Sequence, residues 1–323
     1  MNTITAQSFW ITGPGASEIR EHAVETPEGN YSLVRTLYSG ISRGTEQLVF
    51  NARVPPSEYE RMRAPHQEGR FPGPVKYGYI NVGAVVAGPL RGKRVFSLFP
   101  HQTLFYLPPE ALFPIPDGVP AERAVLSANL ETAINGLWDA QIRIGDEVVV
   151  FGAGVTGLLV GWLAARVPGC QVTVVDPNPS RSRVAQQLGL RLVAPEDIAA
   201  EYDVLINVSG SDQALAAAIE RARFEATIVE MSWYGDTKSS VALGTAFHSR
   251  RLTIKSSQVG SVANSQRARW STARRMSLAL DLLADDRLDH LITHTSSFES
   301  LPNVMRVLTE ADQLCHRIEY PIA

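Results

Sequence analysis

The sequence is poor in cysteine and carries no excess of either charge. Only Cys170 and Cys315 occur in 323 residues, too few for a disulfide framework or for a four-cysteine zinc lobe. The 30 Lys and Arg residues nearly balance the 33 Asp and Glu residues, so no basic excess is available to neutralise a nucleic-acid backbone. We therefore expect no nucleic-acid partner and a reducing, cytoplasmic location.

Long apolar runs are also missing. No segment approaches the ~18 apolar residues of a membrane helix, so no membrane partner is expected. Residues 1–21 lack the basic start and the unbroken apolar stretch of a secretory signal. Hydrophobic residues make up 45% of the chain, an ordinary globular composition. The length favours two domains, which suggests a cleft for a small-molecule substrate.

The first 118 residues consist of short extended pieces separated by Gly and Pro, a pattern typical of a small β-barrel. Residues 51–76 contain five prolines and mixed charges, which leave little room for regular structure. We predict a long ordered loop there, and such loops are often functional. Strands are predicted at 31–38, 83–87 and 93–98.

From Asp146 onward, β-branched runs alternate with Ala- and Leu-rich stretches of helical periodicity. This alternation predicts an α/β fold with a doubly wound parallel sheet covered by helices. Strands are predicted at 147–151, 171–175, 204–208, 226–231 and 252–256, with a final strand at 315–320. Helices are predicted at 157–166, 179–188, 212–222 and 267–283.

A glycine-rich loop joins the first of these strands to the first helix. In this context Gly152 allows a tight turn, Gly154 lets the backbone approach a pyrophosphate, and Gly157 lets the helix pack on the strand. The pyrophosphate would lie at the helix N-terminus, among free N–H groups. We predict a dinucleotide site whose loop contacts are Gly152, Gly154, Val155 and Gly157.

The next strand ends in Asp176, roughly 20 residues beyond the last motif glycine. A carboxylate there accepts hydrogen bonds from ribose hydroxyls and repels a 2′-phosphate, so NAD is predicted over NADP. Arg181 and Arg183 lie nearby and could favour a 2′-phosphate, which leaves NADP open. Ser209 is predicted to contact the nicotinamide ribose, or alternatively to bond only within its own turn.

The chain resembles the medium-chain dehydrogenase/reductase superfamily over nearly its whole length. Besides the glycine loop, the resemblance rests on SGISRGTE at 39–46 and GYINVG at 78–83. It implies a GroES-like catalytic β-barrel over 1–124, completed by 264–323, and a Rossmann domain over 125–263. It also implies an NAD(P)-dependent oxidoreductase acting on alcohol or carbonyl groups, assembled as a homodimer or homotetramer.

The zinc ligands of the family are replaced in these segments. Ser42 stands where the family has a cysteine, or Arg43 does if the extra residue is placed differently. Tyr79 stands in place of the ligand histidine, and Ile80 in place of the glutamate beside it. Serine and neutral tyrosine hydroxyls are not normal zinc ligands. The family's structural zinc lobe is missing too, so the chain is identified as a member of the zinc-free branch.

Without a metal, hydrogen-bond donors must stabilise the negative charge that develops on the substrate oxygen. We expect Tyr79 to be the first donor and Ser42 the second, with His101 and Glu131 completing a relay. The alternative for Tyr79 is a half-buried barrel aromatic. Glu46 is expected to be structural.

Other interpretations stay open. The chain could be a zinc-dependent dehydrogenase with unusual ligands, or a catalytically inactive protein that kept the dinucleotide site. Tyr234 and Lys238 have the spacing of the short-chain dehydrogenase motif, but a Gly-Asp turn interrupts it, so we expect no such role. The side chains available for an unusual zinc site are His66, His101, Glu46 and Glu131.

Overall fold

The computed structural model describes residues 3–198, 201–308 and 313–321. The chain divides into two compact units, Met1–Ala128 with Leu280–Ala323 and Asn129–Ala279, called here the β unit and the α/β unit. The grouping differs from the predicted limits at residues 125–128 and 264–279. The latter segment includes Arg275, which is paired with Glu131 inside the α/β unit.

Strands and helices are numbered separately along the chain. The strands are β1 Thr3–Gly13, β2 Ala16–Glu25, β3 Ser32–Ile41, β4 Glu68–Gly69, β5 Val75–Lys76, β6 Asn81–Ala87, β7 Arg94–Ser97, β8 Leu104–Leu107, β9 Phe113–Pro114, β10 Glu147–Phe151, β11 Gln171–Val175, β12 Arg191–Val193, β13 Tyr202–Asn207, β14 Ala222–Glu230, β15 Thr253–Ser256, β16 Ile292–Ser297 and β17 Cys315–Glu319. The helices are α1 Arg43–Phe50, α2 Ser127–Ala140, α3 Val155–Ala164, α4 Ser182–Gln187, α5 Asp212–Arg221, α6 Thr272–Leu282 and α7 Leu301–Val307. Among the described residues, none of these helices has both the length and the apolar character needed to cross a bilayer.

The β unit contains two sheets. The larger has the order β16-β17-β3-β6-β7-β9, with β8 also paired to β3, and the smaller has the order β2-β1-β5-β4. The predicted C-terminal strand is confirmed as β17, which pairs antiparallel with β3. Alternating side chains of the larger sheet, including Val34, Val85 and Phe105, form a buried cluster.

The proline-rich segment is a long loop with little regular structure, as predicted. Its only strands in the described chain, β4 and β5, are two residues each, and β5 pairs with β1. At its end, Lys76 is almost fully buried and donates to Glu68 and to Gln102 Oε1, the latter at 2.7 Å. Burial lowers the pKa of Lys76. These contacts fasten the end of the loop to the segment that follows β7.

The α/β unit is a six-stranded parallel sheet of order β12-β11-β10-β13-β14-β15. Its five predicted strands are confirmed with small changes of boundary, and the short strand β12 was not predicted. β10 is buried almost throughout because α3 packs on it and on β11, while α5 packs on β13 and β14. The strand order reverses beside β10, and in open parallel sheets ligands bind at the carboxyl edge beside such a reversal.

Candidate cofactor and catalytic sites

The three motif glycines have different local surroundings. Gly152 has φ +104°, and a Cβ added to it would lie 2.9 Å from the Ser209 Cα atom. A Cβ on Gly157 would lie 1.9 Å from the Gly152 carbonyl oxygen, so this glycine allows the helix to approach the strand. At Gly154, by contrast, a Cβ would meet no heavy atom of the described residues within 4 Å. Gly154 therefore borders open space.

That open space lies at the start of α3. Gly154 is the N-cap residue, and the Leu158 N–H donates to its carbonyl oxygen at 2.9 Å. The N–H groups that precede Leu158 in the helix have no carbonyl one turn earlier to bind. The end of the helix dipole is positive here as well, so the loop and the helix fit a pyrophosphate.

Asp176 follows β11 and is held by two backbone donors. Its Oδ2 accepts from the Ala153 N–H at 2.7 Å, and its Oδ1 accepts from the Asn178 N–H at 2.8 Å. Each carboxylate oxygen keeps a further lone pair for a ribose hydroxyl. Of the two nearby arginines, Arg181 is buried and Arg183 is exposed. Arg183 is thus the better placed of the two to meet a phosphate from solution.

The carboxyl ends of β13 and β14 carry a polar network that sequence reasoning missed. The Asn207 amide donates to Glu230 Oε2 at 2.7 Å, and the Tyr234 hydroxyl donates to the same oxygen at 3.1 Å. The Ser232 N–H donates to Glu230 Oε1 at 2.8 Å. The Ser209 hydroxyl donates to Asn207 Oδ1 at 2.6 Å, which is the turn contact given above as its alternative role.

In the β unit, the structure brings Tyr79 and Ser42 together. Ser42 is the N-cap residue of α1, and its hydroxyl accepts a hydrogen bond from the Tyr79 hydroxyl. Thr45 also hydrogen-bonds the Tyr79 hydroxyl. Burial raises the pKa of Tyr79 to about 12, against the opposing effect of these two hydrogen bonds. The phenol therefore stays protonated at neutral pH and remains a donor.

His101 lies in the same unit and binds Glu46. Their Nε2 and Oε2 atoms are 3.0 Å apart, and both side chains are almost fully buried. The other ring nitrogen, Nδ1, lies 2.7 Å from the Ser39 hydroxyl, which lies 3.0 Å from the Tyr320 hydroxyl. The Nε2 atom donates to Glu46, because a carboxylate oxygen can only accept.

Two further contacts connect the buried pair of His101 and Glu46 with the hydroxyl pair of Ser42 and Tyr79. Glu46 Oε1 accepts from the Ser42 backbone N–H at 2.7 Å, which fixes the start of α1. Gly78, next to Tyr79, has φ +111°, and a Cβ there would lie 2.6 Å from His101 Cδ2. The imidazole consequently packs directly on the backbone beside Tyr79. Sequence reasoning gave Glu46 as structural or as a ligand of an unusual zinc site, and it gave no signal for Ser39 or Tyr320.

Glu131 has a different environment from the relay that was expected. It lies on α2 in the α/β unit, and its Oε1 is 3.0 Å from Arg275 Nε. Arg275 is almost fully buried and donates also to Asn135 Oδ1 and to the Val259 carbonyl oxygen. Burial raises the pKa of Glu131, and the Arg275 charge opposes that shift. The contacts of Glu131 show a buried ion pair and give the relay no support.

No protein-family model matches the chain. D-guloside 3-dehydrogenase of Escherichia coli K12 is 28% identical over 204 residues, which cover 58% of this chain and 58% of that protein. The match thus spans little more than half of the relative's length.

Solved structures match over almost the whole chain. An alcohol dehydrogenase of E. coli CFT073 complexed with NADH has a TM-score of 0.78 at 18% identity, covering 98% of this chain and 99% of that one. A dehydrogenase of Sinorhizobium meliloti 1021 bound to NADP has a TM-score of 0.79 at 17% identity, with coverage of 98% and 99%. These relatives and structural neighbours are alcohol dehydrogenase-like proteins, and the chain resembles them in fold over almost its whole length. The predicted α/β fold is that of the superfamily.

The residues at the superfamily's zinc-ligand positions do not fit zinc. Ser42 and Tyr79 offer neutral hydroxyls, whereas zinc requires thiolate, imidazole or carboxylate. The nearest imidazole and carboxylate, His101 and Glu46, bind each other. The His66 ring lies in a tilted arrangement 5.4 Å from the Phe99 ring, and burial lowers the pKa of His66. Within residues 3–198, 201–308 and 313–321, no three His, Cys, Asp or Glu side chains are grouped so as to hold a metal.

The short-chain dehydrogenase spacing has no structural counterpart. Tyr234 and Lys238 follow β14 in turns and irregular chain, not in a helix. Lys238 is exposed, whereas Tyr234 is half-buried and bonded to Glu230. Tyr234 therefore belongs to the network at the sheet edge.

Proposed function

We propose that this chain is an NAD-dependent oxidoreductase that acts on an alcohol or carbonyl group of a small organic substrate without zinc. Bound nicotinamide would accept or supply the hydride. The proposal depends above all on the glycine loop, where Gly154 borders open space at the start of α3 and Asp176 is fixed beside the same loop. The oxidoreductase relatives and the cofactor-bound structural neighbours support it.

Asp176 supports NAD over NADP. Its two backbone contacts hold the carboxylate at the loop. A ribose with both hydroxyls can donate to the remaining lone pairs, whereas a 2′-phosphate would place like charges together. Arg183 is the residue that could compensate such a phosphate, which is why NADP stays the alternative cofactor.

The hydroxyl pair in the β unit supplies the donors that the proposal needs. When the substrate is a carbonyl, its oxygen becomes negative and must gain a proton; when it is an alcohol, the oxygen must lose one. Ser42 accepts from Tyr79, so its own proton is available to a substrate oxygen. A donor placed in this way stabilises developing charge without a metal. Ser42 and Tyr79 are thus our proposed catalytic residues.

The buried chain behind Ser42 holds it in place. Glu46 grips the Ser42 backbone N–H, and His101 donates to Glu46 from the other side. The Ser42 hydroxyl makes no capping hydrogen bond to α1, so its proton is not used to hold the helix. We assign His101 and Glu46 as positioning residues.

We also infer a homodimer formed through the edge of the parallel sheet, with a homotetramer as the larger alternative. β15 is the last strand of the sheet order. An edge strand presents backbone N–H and C=O groups that a second copy can pair. The dimeric habit of the superfamily supports this inference.

The proposal is tested by turnover. Purified protein is mixed with NAD⁺ and a panel of secondary alcohols and polyols, or with NADH and the matching carbonyl compounds, while reduced nicotinamide is followed by its absorbance. We expect turnover of at least one compound and saturable NADH binding by calorimetry. Tyr79→Phe should lower turnover by about a hundredfold or more and leave binding intact. Tyr106→Phe is the matched control, because that hydroxyl bonds Thr26 at the exposed surface of the same unit.

The outcomes separate the alternatives. Binding without turnover on the whole panel would indicate an inactive dinucleotide-binding protein. Turnover that stops when a chelator removes bound zinc would indicate a zinc enzyme with unusual ligands. Absence of NADH binding would overturn the proposal itself.

A further inference from the structure

The carboxylate of Glu230 is negatively charged and has no cationic partner. It accepts three hydrogen bonds, all from neutral donors: the Asn207 amide, the Tyr234 hydroxyl and the Ser232 backbone N–H. In the described part of the chain, no Lys or Arg side chain forms an ion pair with it. Neutral donors fix the orientation of a carboxylate but leave its net charge in place.

The donors themselves are firmly held. Asn207 is fully buried at the end of β13, and Tyr234 is half-buried. Burial and the neighbouring Glu230 raise the pKa of Tyr234, so its hydroxyl keeps its proton and continues to donate. A second contact, from the Gly210 N–H to the Ser232 hydroxyl at 3.0 Å, joins the two strand ends. Glu230 is therefore a fixed, half-buried negative charge.

Its place in the sheet matters for the cofactor. In open parallel sheets a dinucleotide lies across the carboxyl edge at the point where the strand order reverses. Asp176 follows β11 on one side of that point, where the adenosine half of the dinucleotide is expected to bind. β13 and β14 lie on the other side, so Glu230 stands at the edge that receives the nicotinamide half. This step rests on the proposed function.

We propose that Glu230 makes the site discriminate between oxidation states of the cofactor, favouring the oxidised nicotinamide. The oxidised ring carries a positive charge that reduction removes. A fixed carboxylate beside the ring attracts the first form and not the second. Removing that charge should raise the NAD⁺ dissociation constant roughly fivefold relative to the NADH dissociation constant. This is the scale of one unit charge acting across a partly solvated site.

The experiment measures dissociation constants of NAD⁺, NADH and ADP-ribose by calorimetry for wild type, Glu230→Gln and Glu230→Asp. Glu230→Gln should weaken NAD⁺, affect NADH little and leave ADP-ribose unchanged, because ADP-ribose lacks the ring. Glu230→Asp keeps the charge and should retain most of the preference. Glu225→Gln is the matched control, since it removes a carboxylate from the same strand, where Glu225 pairs with Arg251 at 2.9 Å.

Each result decides between claims. The inference is overturned if a folded Glu230→Gln protein still binds ADP-ribose and keeps the wild-type ratio of NADH to NAD⁺ dissociation constants. The proposed function would still stand in that case. An equal shift in the Glu225→Gln control would overturn it too, because the effect would then be one of overall charge. If wild-type protein binds none of the three ligands, the proposed function fails instead. Thermal unfolding of each variant verifies that it is folded.

Discussion

Substitutions at two glycines of the glycine-rich motif should have opposite effects, one on cofactor binding and the other on stability. Gly154 has φ −72°, ordinary for any residue, and an added Cβ meets no described atom within 4 Å. Gly157→Ala places a Cβ 1.9 Å from a carbonyl oxygen, far inside a normal contact of about 3.5 Å. The same motif thus contains a position that binds and a position that packs.

The expected magnitudes follow from these surroundings. Gly154→Val should change the free energy of unfolding by no more than about 0.5 kcal/mol, because the lost N-cap preference and the reduced unfolded-state entropy nearly cancel. It should weaken NADH binding at least about a hundredfold, the loss of roughly two charge-assisted hydrogen bonds to the pyrophosphate. Gly157→Ala should destabilise the α/β unit by about 3 kcal/mol, the upper end of the usual cost of overpacking.

The assays are chemical denaturation for stability and calorimetry with NADH for affinity. Gly118→Val serves as the control, because this glycine of the β unit also borders open space and has no positive φ. A folded Gly154→Val protein with wild-type NADH affinity would refute the claim that the pyrophosphate binds beside Gly154. A Gly157→Ala protein as stable as wild type would refute the packing argument.

Four further predictions test other parts of the molecule. NADH should bind more tightly than NADPH, because Asp176 repels a 2′-phosphate; calorimetry giving the reverse order would point to Arg183. Tyr79→Phe should lower kcat by about a hundredfold or more, the usual loss when one donor is removed, and an unchanged kcat would take Tyr79 out of the site. Elemental analysis should find no stoichiometric zinc, and turnover should persist in excess chelator. A zinc ion required for turnover would contradict the role of Ser42 and Tyr79 as hydrogen-bond donors in place of the metal. Light scattering should report a dimer, and a strictly monomeric mass would contradict pairing through β15.

The sequence predicted the α/β unit better than the β unit. β10 and its glycine loop carry local signals, namely an uninterrupted β-branched run, a tight turn and a helix start, each readable within a few residues. β12 escaped because three residues are too few to show a period. The long hairpin of β1 and β2 was seen only as extended pieces, since its register depends on pairing that no local pattern specifies.

The sites divide in the same way. Ser42 and Tyr79 could be proposed from the sequence because each occupies a position within a recognisable segment, and the structure shows that their hydroxyls are hydrogen-bonded. The Asn207 and Glu230 pair was missed because its members close two different strands, and only the parallel register brings them side by side. The ion pair of Glu131 with Arg275 was also missed, because the two residues are distant in sequence.

The buried carboxylate of Glu46 connects Ser42, at a former zinc-ligand position, with His101. A carboxylate that is almost fully buried is costly unless donors surround it. The superfamily resemblance implies that the equivalent acid supports the metal site in zinc-dependent members. Here Glu46 binds His101 instead, and His101 is held by Ser39 and packed against Gly78. Restoring a cysteine and a histidine at 42 and 79 would therefore not rebuild a zinc site, because the acid that should support the new histidine is already committed to another imidazole.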